Sequence, residues 1–379
     1  MSARAQPRSF PGEGRAARVK VTVPLDGRRY DVVVQTGAFD RVPRLTAAEK
    51  GSRIAIVGDE RLSAALERLA RSFEKRGNAA TIVPVAASER LKSLRAVEPL
   101  YGALLRAGLD RRSTIVGVGG GTIGDAIGFV AATYLRGVRF ISVPTTLLAG
   151  VDSAIGGKTG LNHRLGKNLI GVFAQPNLVV VDPALLRSLD RRDRISGLGE
   201  IVKYGLIADA RLYRTVQQSW RDLVALKEPL TSRLIARCIA IKARIVAADE
   251  REQTGLRAQL NFGHTVAHAL ENVSGYGTLR HGEAVIVGMR AAVALSALRG
   301  YLPQRTAGAI DAFLRALPVP GDWRRYSARS IASATKHDKK RGARGVRFVL
   351  LDRVGHTVGD DGVASDELLA VLHAVGFSR

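Results

Sequence analysis

Cysteine is almost absent from this 379-residue chain, which contains Cys238 and no other. A single cysteine can form neither an intramolecular disulfide nor a cysteine-based zinc cluster, so we expect a reducing, cytoplasmic location. Aromatic residues make up only 5% of the chain, leaving few platforms on which nucleic-acid bases could stack. No uninterrupted apolar run reaches the roughly 18 residues needed to cross a bilayer, which argues against an integral membrane protein.

Acidic residues are also few. The chain has 34 Asp and Glu and 58 Lys and Arg, which gives a formal charge of +24. Such a charge attracts polyanions, and nucleic-acid binding is one interpretation. The basic residues are spread along the chain, however, which favours an arginine-rich surface with some cations directed at small anionic ligands. We therefore expect no specific nucleic-acid partner. Residues 1–18 lack the apolar core of a secretory signal and are predicted to be a disordered basic leader, with an organelle transit peptide as the alternative.

The length predicts about two domains. Short apolar runs that alternate with helical spacing, such as Arg53–Asp59, Thr114–Val118 and Leu178–Asp182, are typical of buried parallel strands flanked by helices. From residue 184 to 316 the spacing is mostly helical. The sequence therefore predicts an α/β protein with a parallel-sheet domain over residues 19–183 and a mainly helical domain over residues 184–379.

Glycine is abundant, and its clusters carry the first chemical signal. Gly119, Gly121 and Gly124 match G-x-G-x-x-G between a predicted strand and a predicted helix, where backbone N–H groups can approach a pyrophosphate. The acidic residue expected about 20 positions later is missing, although Asp59, at an earlier strand end, could bind a ribose. A plain tight turn is the alternative.

A second glycine-rich stretch spans Pro144–Gly160 and combines hydroxyls with Asp152, paired glycines and Lys158. This mixture favours a phosphate or pyrophosphate site, and Lys167 and Asn168 repeat it nearby. The spacing is not that of a P-loop. A glycine-rich connector with solvated lysines is the alternative.

Three of the seven histidines, His264, His268 and His281, fall within 18 residues. On a helix His264 and His268 would share a face, and two imidazoles with a third ligand suit a Zn²⁺ site that keeps one position open. Glu200 is the candidate carboxylate ligand. Histidines that cap or pack a helix are the alternative.

Several cations accompany these candidate ligands. Lys203 follows Glu200 by one helical turn, and the i+4, i+7 series predicts Arg257, Asn261, His264 and His268 on one helical face. Surface charge would explain most lysines. If a metal binds, however, adjacent cations imply a polyanionic substrate, such as one with a phosphate and a carboxylate.

Taken in order along the chain, these motifs resemble the 3-dehydroquinate synthase family over about residues 19–379. The matching motifs are Gly119-Gly120-Gly121-x-x-Gly124-Asp125, Arg136-Gly137, the run Pro144–Gly160, Gly166-Lys167-Asn168-x-x-Gly171, Leu260-Asn261-Phe262-Gly263-His264-Thr265, His281-Gly282-Glu283-Ala284-Val285 and Asp338-Lys339-Lys340. Gly199 departs from the family pattern, which usually has alanine before the glutamate.

The resemblance implies a Rossmann-like NAD-binding domain, a helical second domain, an active site in the cleft between them and a homodimer. It implies conversion of 3-deoxy-D-arabino-heptulosonate 7-phosphate to 3-dehydroquinate, with NAD⁺ used and regenerated in each turnover. The metal, Zn²⁺ or Co²⁺, would bind Glu200, His264 and His281, which makes His268 a substrate-facing group instead of a ligand.

The resemblance also assigns the remaining site residues. The substrate would be surrounded by Asp152, Lys158, Lys203, Lys242, Arg257, Asn261, His268 and Lys339 or Lys340, with Arg136 reaching the phosphate site of a partner subunit. NAD or its surroundings would involve Asp59, Glu89, Lys92, Gly120, Gly121, Asp125, Thr145, Thr146, Lys167, Asn168 and Ser188.

Three alternatives remain at this point. Another sugar phosphate cyclase, of the 2-deoxy-scyllo-inosose synthase or sedoheptulose 7-phosphate cyclase type, would keep the fold and cofactors but change the substrate. A metal-dependent alcohol dehydrogenase would produce net NADH and would not need the Lys203, Lys242 and Arg257 cations. A non-catalytic basic protein would bind DNA with a steep salt dependence.

Overall fold

A seven-stranded, mostly parallel sheet forms the first part of the protein. The computed structural model describes residues 18–275, 277–335, 341–342 and 345–379, so residues 1–17 of the predicted leader, together with Lys339 and Lys340, lie outside the described residues. The strands are β1 (Val19–Val23), β2 (Tyr30–Val34), β3 (Arg53–Asp59), β4 (Ala79–Val85), β5 (Thr114–Gly119), β6 (Arg139–Pro144), β7 (Lys158–His163), β8 (Gly166–Phe173), β9 (Leu178–Val181), β10 (Arg341–Gly342), β11 (Gly345–Val346), β12 (Phe348–Arg353) and β13 (His356–Asp360).

The strand order in this sheet is β1-β2-β9-β6-β5-β3-β4, and only β1 runs antiparallel to its neighbour. β7 pairs with β8 as a separate antiparallel hairpin. Successive residues of β3 face opposite sides of the sheet, as a strand requires. Ile54 and Ile56 pack in the core with helix α2 (Ser63–Glu74), whereas Ala55 and Val57 pack in the core with α3 (Leu94–Arg106) and α4 (Gly121–Thr133). The predicted parallel sheet with helices on both faces is confirmed.

Helices dominate after β9. Besides α1 (Val42–Leu45) and the three helices already named, the structure has α5 (Arg191–Ala208), α6 (Ala210–Val224), α7 (Leu230–Ala248), α8 (His264–Ser274), α9 (His281–Leu298), α10 (Gln304–Ala316), α11 (Ala328–Thr335) and α12 (Ser365–Val375). The predicted mainly helical second half is therefore confirmed. The exact division at residues 183 and 184 stays a prediction.

A single hydrophobic core joins the sheet edge to the helices. It includes Val32 of β2 and Val179 of β9 together with Leu198 of α5, Ile239 of α7 and Val285 of α9, all with no exposed surface. Such a shared core fixes the position of the helical half against the sheet, which is a condition for building one site from both.

Helix α9 is long and apolar enough to cross a membrane by length and composition alone. Its burial gives another explanation, because 78% of its 18 residues lie inside the protein. A helix that is apolar on all sides is expected at the centre of a helical core.

Candidate active site

A cavity of about 580 Å³ is lined by residues from both halves of the protein. The sheet half contributes side chains from α4, from the turn after β6 and from the β7–β8 hairpin, and the helical half contributes α5, α7, α8 and the first residue of α9. The polar and charged side chains in the lining are Asp125, Asp152, Ser153, Lys158, Thr159, Asn168, Lys203, Lys242, Glu252, Arg257, Asn261, His264, His268 and His281.

Three candidate metal ligands converge at this cavity. Potential ligand atoms of Glu200, His264 and His281 all lie within 4.8 Å of one another. Glu200 Oε1 is 3.5 Å from Nε2 of His264 and 3.5 Å from Nε2 of His281. Glu200 is fully buried, and neither carboxylate oxygen has a well-oriented hydrogen bond within the described ranges, although Lys203 forms an ion pair with it. A buried carboxylate facing two imidazole nitrogens fits a three-ligand divalent metal site.

Close backbone contacts bring the helices that carry these ligands together. A Cβ placed on Gly282 would lie 1.8 Å from the carbonyl oxygen of Ser196, and one on Gly199 would lie 2.5 Å from the carbonyl oxygen of Gly282. α5 and α9 therefore touch through backbone atoms, immediately beside Glu200 and His281. A Cβ on Gly288 would be 2.0 Å from the carbonyl oxygen of Gly263, which gives α8 and α9 the same close approach.

The expected single helical face from Arg257 to His268 is wrong. Leu256–Asn261 forms a 3-10 turn, Gly263 has a φ of +78°, and α8 begins only at His264. A left-handed residue interrupts an α-helix, so the i+4, i+7 spacing does not apply across it. Arg257 and Asn261 nevertheless reach the same cavity as His264, by way of the turn.

His268 lies beside the metal ligands without belonging to their set. Its ring centroid is 5.4 Å from that of His264 and 6.2 Å from that of His281, and it lines the cavity. The cluster of close ligand atoms contains Glu200, His264 and His281 but not His268. This arrangement agrees with the resemblance-based assignment of His268 to the substrate side, which stays a prediction.

Four cations of the described part of the chain line the cavity, and each is close to a carboxylate. Lys242 Nζ is 2.5 Å from Asp152 Oδ1, and Tyr204 donates its hydroxyl proton to the same oxygen at 2.6 Å. Lys203 pairs with Glu200, and Lys158 Nζ lies 2.5 Å from Glu252 Oε1.

Arg257 is the fourth cation and is 2% exposed. Its two terminal nitrogens donate to the carbonyl oxygens of Glu250 and Gly156. Its Nε has no hydrogen-bond acceptor among the residues that the structure describes, although Glu252 Oε1 lies 3.8 Å away. A buried N–H group without an acceptor at a cavity wall fits the binding of an anionic ligand.

Burial and charge shift the ionisation of these groups. Burial would raise the pKa of Glu200, but Lys203, together with His281 and His264, outweighs it and the pKa falls to about 2. Burial likewise opposes ionisation of Asp152, yet Lys242 and Lys203 hold its pKa well below the usual range. Burial lowers the pKa of Lys242, against the attraction of Asp152. Asp152 and Glu200 are therefore charged at neutral pH, which keeps acceptors available for cations.

Glu252 lines the cavity but was not predicted from the sequence. It follows Asp249 in an acidic stretch that carries no catalytic spacing, and its contact with Lys158 joins residues 94 positions apart. Its φ of +57° is unusual for a residue other than glycine, so the backbone holds the side chain towards the two cations at a cost. Only the folded arrangement identifies it.

Most of the predicted NAD-binding residues come together at the carboxyl ends of β5 and β6. Lys92 Nζ is 2.7 Å from Asp125 Oδ2 and also contacts the side chain of Asn168, while Lys167 Nζ is 3.8 Å from Glu89 Oε1. A Cβ on Gly120 would meet Thr146 at 3.0 Å, and the amide of Thr145 donates to the carbonyl oxygen of Gly119. Gly121 begins α4, so the N–H groups of its first turn are available at this edge, as a pyrophosphate requires.

Several predicted residues are not among those that line the cavity, and three of them, Asp59, Ser188 and Arg136, have other surroundings. Asp59 ends β3 and accepts hydrogen bonds from the Arg61 guanidinium on both carboxylate oxygens. Ser188 is exposed and donates to the carbonyl oxygen of Leu185. Arg136 is exposed after the end of α4 with a φ of +68°. Their predicted roles gain no support from contacts with the cavity.

Comparison with known proteins identifies the family. A family model described as 3-dehydroquinate synthase N-terminal matches residues 82–196, and one described as 3-dehydroquinate synthase C-terminal matches residues 197–341. A 3-dehydroquinate synthase of Geobacter sp. (strain M21) is 41% identical over 338 residues, which is 89% of this chain and 93% of that protein.

Two solved structures are similar in fold. A 2-epi-5-epi-valiolone synthase from Streptomyces hygroscopicus subsp. jinggangensis, with NAD⁺ and Zn²⁺ bound, is 28% identical with a TM-score of 0.80, over 91% of this chain and 96% of that one. A 2-deoxy-scyllo-inosose synthase, complexed with carbaglucose-6-phosphate, NAD⁺ and Co²⁺, has a TM-score of 0.83 at 24% identity, over 94% and 99%.

The fold and the cavity thus define a two-part α/β protein. The two similar structures have the same kind of fold and contain NAD⁺ and a divalent metal. The chain belongs to the 3-dehydroquinate synthase family, because both family models match and the Geobacter relative is similar over nearly its whole length. The expectation of this family over the other sugar phosphate cyclases is confirmed.

Proposed function

We propose that the protein converts 3-deoxy-D-arabino-heptulosonate 7-phosphate to 3-dehydroquinate and phosphate, as a carbon–oxygen lyase with NAD and a divalent metal as cofactors. The observation that supports this most is the closeness of Glu200 to His264 and His281, two imidazoles that line a cavity together with four cations. A metal-ligand set surrounded by cations suits a substrate that carries both a phosphate and a carboxylate.

The cofactors divide the cavity between the two halves of the protein. Glu200, His264 and His281 would hold Zn²⁺ or Co²⁺, and the residues around Lys92, Asp125 and the first turn of α4 would hold NAD. When bound, NAD would supply a reversible hydride acceptor and the metal would supply a Lewis acid for the oxygen atoms being oxidised and reduced. In this proposal the NAD-binding domain spans residues 19–183, and the metal- and substrate-binding domain spans residues 184–379.

The side chains of this chain bind, orient and move protons. Lys158, Lys203, Lys242 and Arg257 compensate the charges of the substrate, and Asn261 supplies a neutral hydrogen-bonding group at the same wall. Asp152 holds Lys242 in place through its carboxylate and through its backbone carbonyl oxygen. His268, exposed to the cavity and close to both metal-ligand imidazoles, is the proton-transfer group, while the substrate phosphate acts as base for its own elimination. Lys339 or Lys340 completes the substrate contacts.

The working form in this proposal is a cytoplasmic homodimer. Exposed apolar side chains on the β7–β8 hairpin, among them Leu165 with 77% of its surface exposed, and Leu94 and Leu105 on α3 favour an apolar contact with another copy. Arg136 would reach the phosphate site of the partner subunit. Cys238 is fully buried and burial raises the pKa of its thiol, which suits a structural residue in a reducing compartment.

Phosphate release tests the proposal. Purified protein is given 3-deoxy-D-arabino-heptulosonate 7-phosphate and NAD⁺, before chelation, after chelation and after addition of Zn²⁺ or Co²⁺. We expect metal-restored phosphate release with formation of 3-dehydroquinate and no net NADH. Substitution Glu200→Gln should abolish release, whereas the control Asp352→Asn, at a half-buried carboxylate on β12 outside the cavity lining, should leave it unchanged. No release by the metal-loaded protein, or net NADH accumulation, would refute the proposal.

A further inference from the structure

Glu271 lies against the ring nitrogen of His281 that points away from the metal-ligand cluster. Its Oε1 is 3.4 Å from His281 Nδ1, while Nε2 of the same imidazole is 3.5 Å from Glu200 Oε1. The Glu271 side chain is 13% exposed and is not part of the cavity lining. It follows His264 by seven residues on α8, two helical turns along the same face, so one helix presents a metal ligand and a contact to the next ligand.

An imidazole that binds a metal through Nε2 carries its proton on Nδ1. A carboxylate or carbonyl oxygen at Nδ1 accepts that proton in a hydrogen bond, fixes the tautomer and sets the direction of the ring. His264 has such an acceptor in the carbonyl oxygen of Phe262, 3.1 Å from its Nδ1. Both imidazoles of the cluster thus have an oxygen at Nδ1, one from the backbone and one from Glu271.

We propose that Glu271 is a positioning residue that orients the His281 imidazole for divalent-cation binding. The inference rests on the metal-dependent function proposed above and deepens its metal site. Glu271 lies outside the set of close ligand atoms, so it acts through His281 and not as a ligand. His281 is 30% exposed and, as the first residue of α9, has no preceding helical turn to restrict its ring, so the contact of Glu271 at Nδ1 can set its orientation.

Metal affinity separates this role from general stability. Zn²⁺ affinity is measured by competition with a chromophoric chelator for the metal-free full-length protein and for Glu271→Ala, Glu271→Gln and Asp352→Asn. Asp352 is the matched control, because its carboxylate is 2.9 Å from His356 Nδ1 in an exposed pair away from the cavity. The Co²⁺ absorption spectrum of each protein reports the ligand geometry, and thermal unfolding without metal reports the fold.

Loss of an acceptor of this kind weakens metal binding by roughly 10- to 100-fold. We expect that loss in Glu271→Ala, with a changed Co²⁺ spectrum and unfolding close to that of the unsubstituted protein. Glu271→Gln should be intermediate, since its carboxamide oxygen can still accept the Nδ1 proton, and it carries the test if the alanine variant does not fold. Asp352→Asn should bind as the unsubstituted protein does.

Two results would overturn the inference while leaving the proposed function intact. One is Zn²⁺ affinity within twofold of the unsubstituted protein in both Glu271 variants, with unchanged Co²⁺ spectra. The other is an equal loss of affinity in Asp352→Asn. If the unsubstituted protein bound no divalent cation at all, the inference and the proposed function would fail together.

Discussion

The substitution Gly282→Ala places a methyl group at the contact that holds two metal-ligand helices together. Gly282 follows His281 at the start of α9, and its Cβ would lie 1.8 Å from the carbonyl oxygen of Ser196 and 2.5 Å from the carbonyl carbon. Both atoms belong to the backbone of α5, one turn before Glu200. No side-chain rotation can relieve the overlap, so the helices themselves must separate.

The size of the effect follows from these distances. Because a Cβ essentially never lies within 3.0 Å of another heavy atom, α5 and α9 must move apart by at least about 1.2 Å. Overpacking of this kind costs about 1–3 kcal/mol of unfolding free energy. Metal–ligand distances tolerate only about 0.2 Å, so the same displacement should lower Zn²⁺ affinity by at least roughly tenfold.

Gly308→Ala is the matched control, since Gly308 lies inside helix α10 and a Cβ there would have no neighbour within 4 Å. Its expected effect has the opposite sign, a gain of about 0.5–1 kcal/mol from helix propensity. Urea denaturation measures the free energy of unfolding, and chelator competition measures Zn²⁺ affinity. Unchanged stability and affinity in Gly282→Ala would refute the reasoning, because the contact would then not determine the position of either helix.

Three further substitutions test the charged network and its surroundings. Tyr204→Phe removes a hydroxyl that donates to Asp152 at 2.6 Å. Because a hydrogen bond to a charged group is worth about 1.5–3 kcal/mol, kcat should fall roughly tenfold or more. A kcat within twofold of that of the unsubstituted protein would contradict this. Lys242→Met leaves the Asp152 carboxylate without its closest cation and should lower the free energy of unfolding by about 3 kcal/mol. Adding Asp152→Asn should recover much of this loss. Additive losses of the two substitutions in urea denaturation would refute the coupling. Burial would raise the pKa of Asp249, but three backbone N–H groups outweigh it and lower the pKa to about 2, so its stabilising contribution is complete above pH 3.8 and is lost as the pH falls towards 2. The stability difference between the unsubstituted protein and Asp249→Asn should therefore shrink between pH 5 and pH 2.5, and an equal difference at both values would contradict the pKa shift.

The sequence predicted those parts of the protein that depend on local pattern. Fully apolar runs such as Ile54–Val57 must be buried on both faces, which is why they predicted a parallel sheet. Glu200 and Lys203 lie three residues apart on one helix, so their contact also follows from local spacing.

The remaining features depend on contacts between distant parts of the chain. Tyr204 and Asp152 are 52 positions apart, and Glu252 and Lys158 are 94 apart, so no spacing rule could pair them. The single face expected from Arg257 to His268 was wrong because periodicity assumes a continuous helix. Gly263 interrupts the helix because it has a left-handed backbone conformation. Glycine permits this conformation, but the pattern of apolar residues gives no sign of it.

Gly199 shows how a departure from a family pattern acquires a physical reason. The resemblance leads one to expect alanine at this position, but in this chain a Cβ there would lie 2.5 Å from the carbonyl oxygen of Gly282. The approach of α5 to α9 therefore depends on glycine at both positions.

The cations of the cavity differ in how readily they can exchange partners. The side chains of Lys203 and Lys242 are 1% and 7% exposed, and separating either from its carboxylate would leave a buried charge uncompensated. Lys158 is 51% exposed and its partner Glu252 is 33% exposed, so breaking this pair costs only about 0–1 kcal/mol. An anionic group that enters the cavity can therefore replace Glu252 at Lys158 at little cost. Breaking either buried pair costs more, so Lys158 is the cation most readily available to such a group.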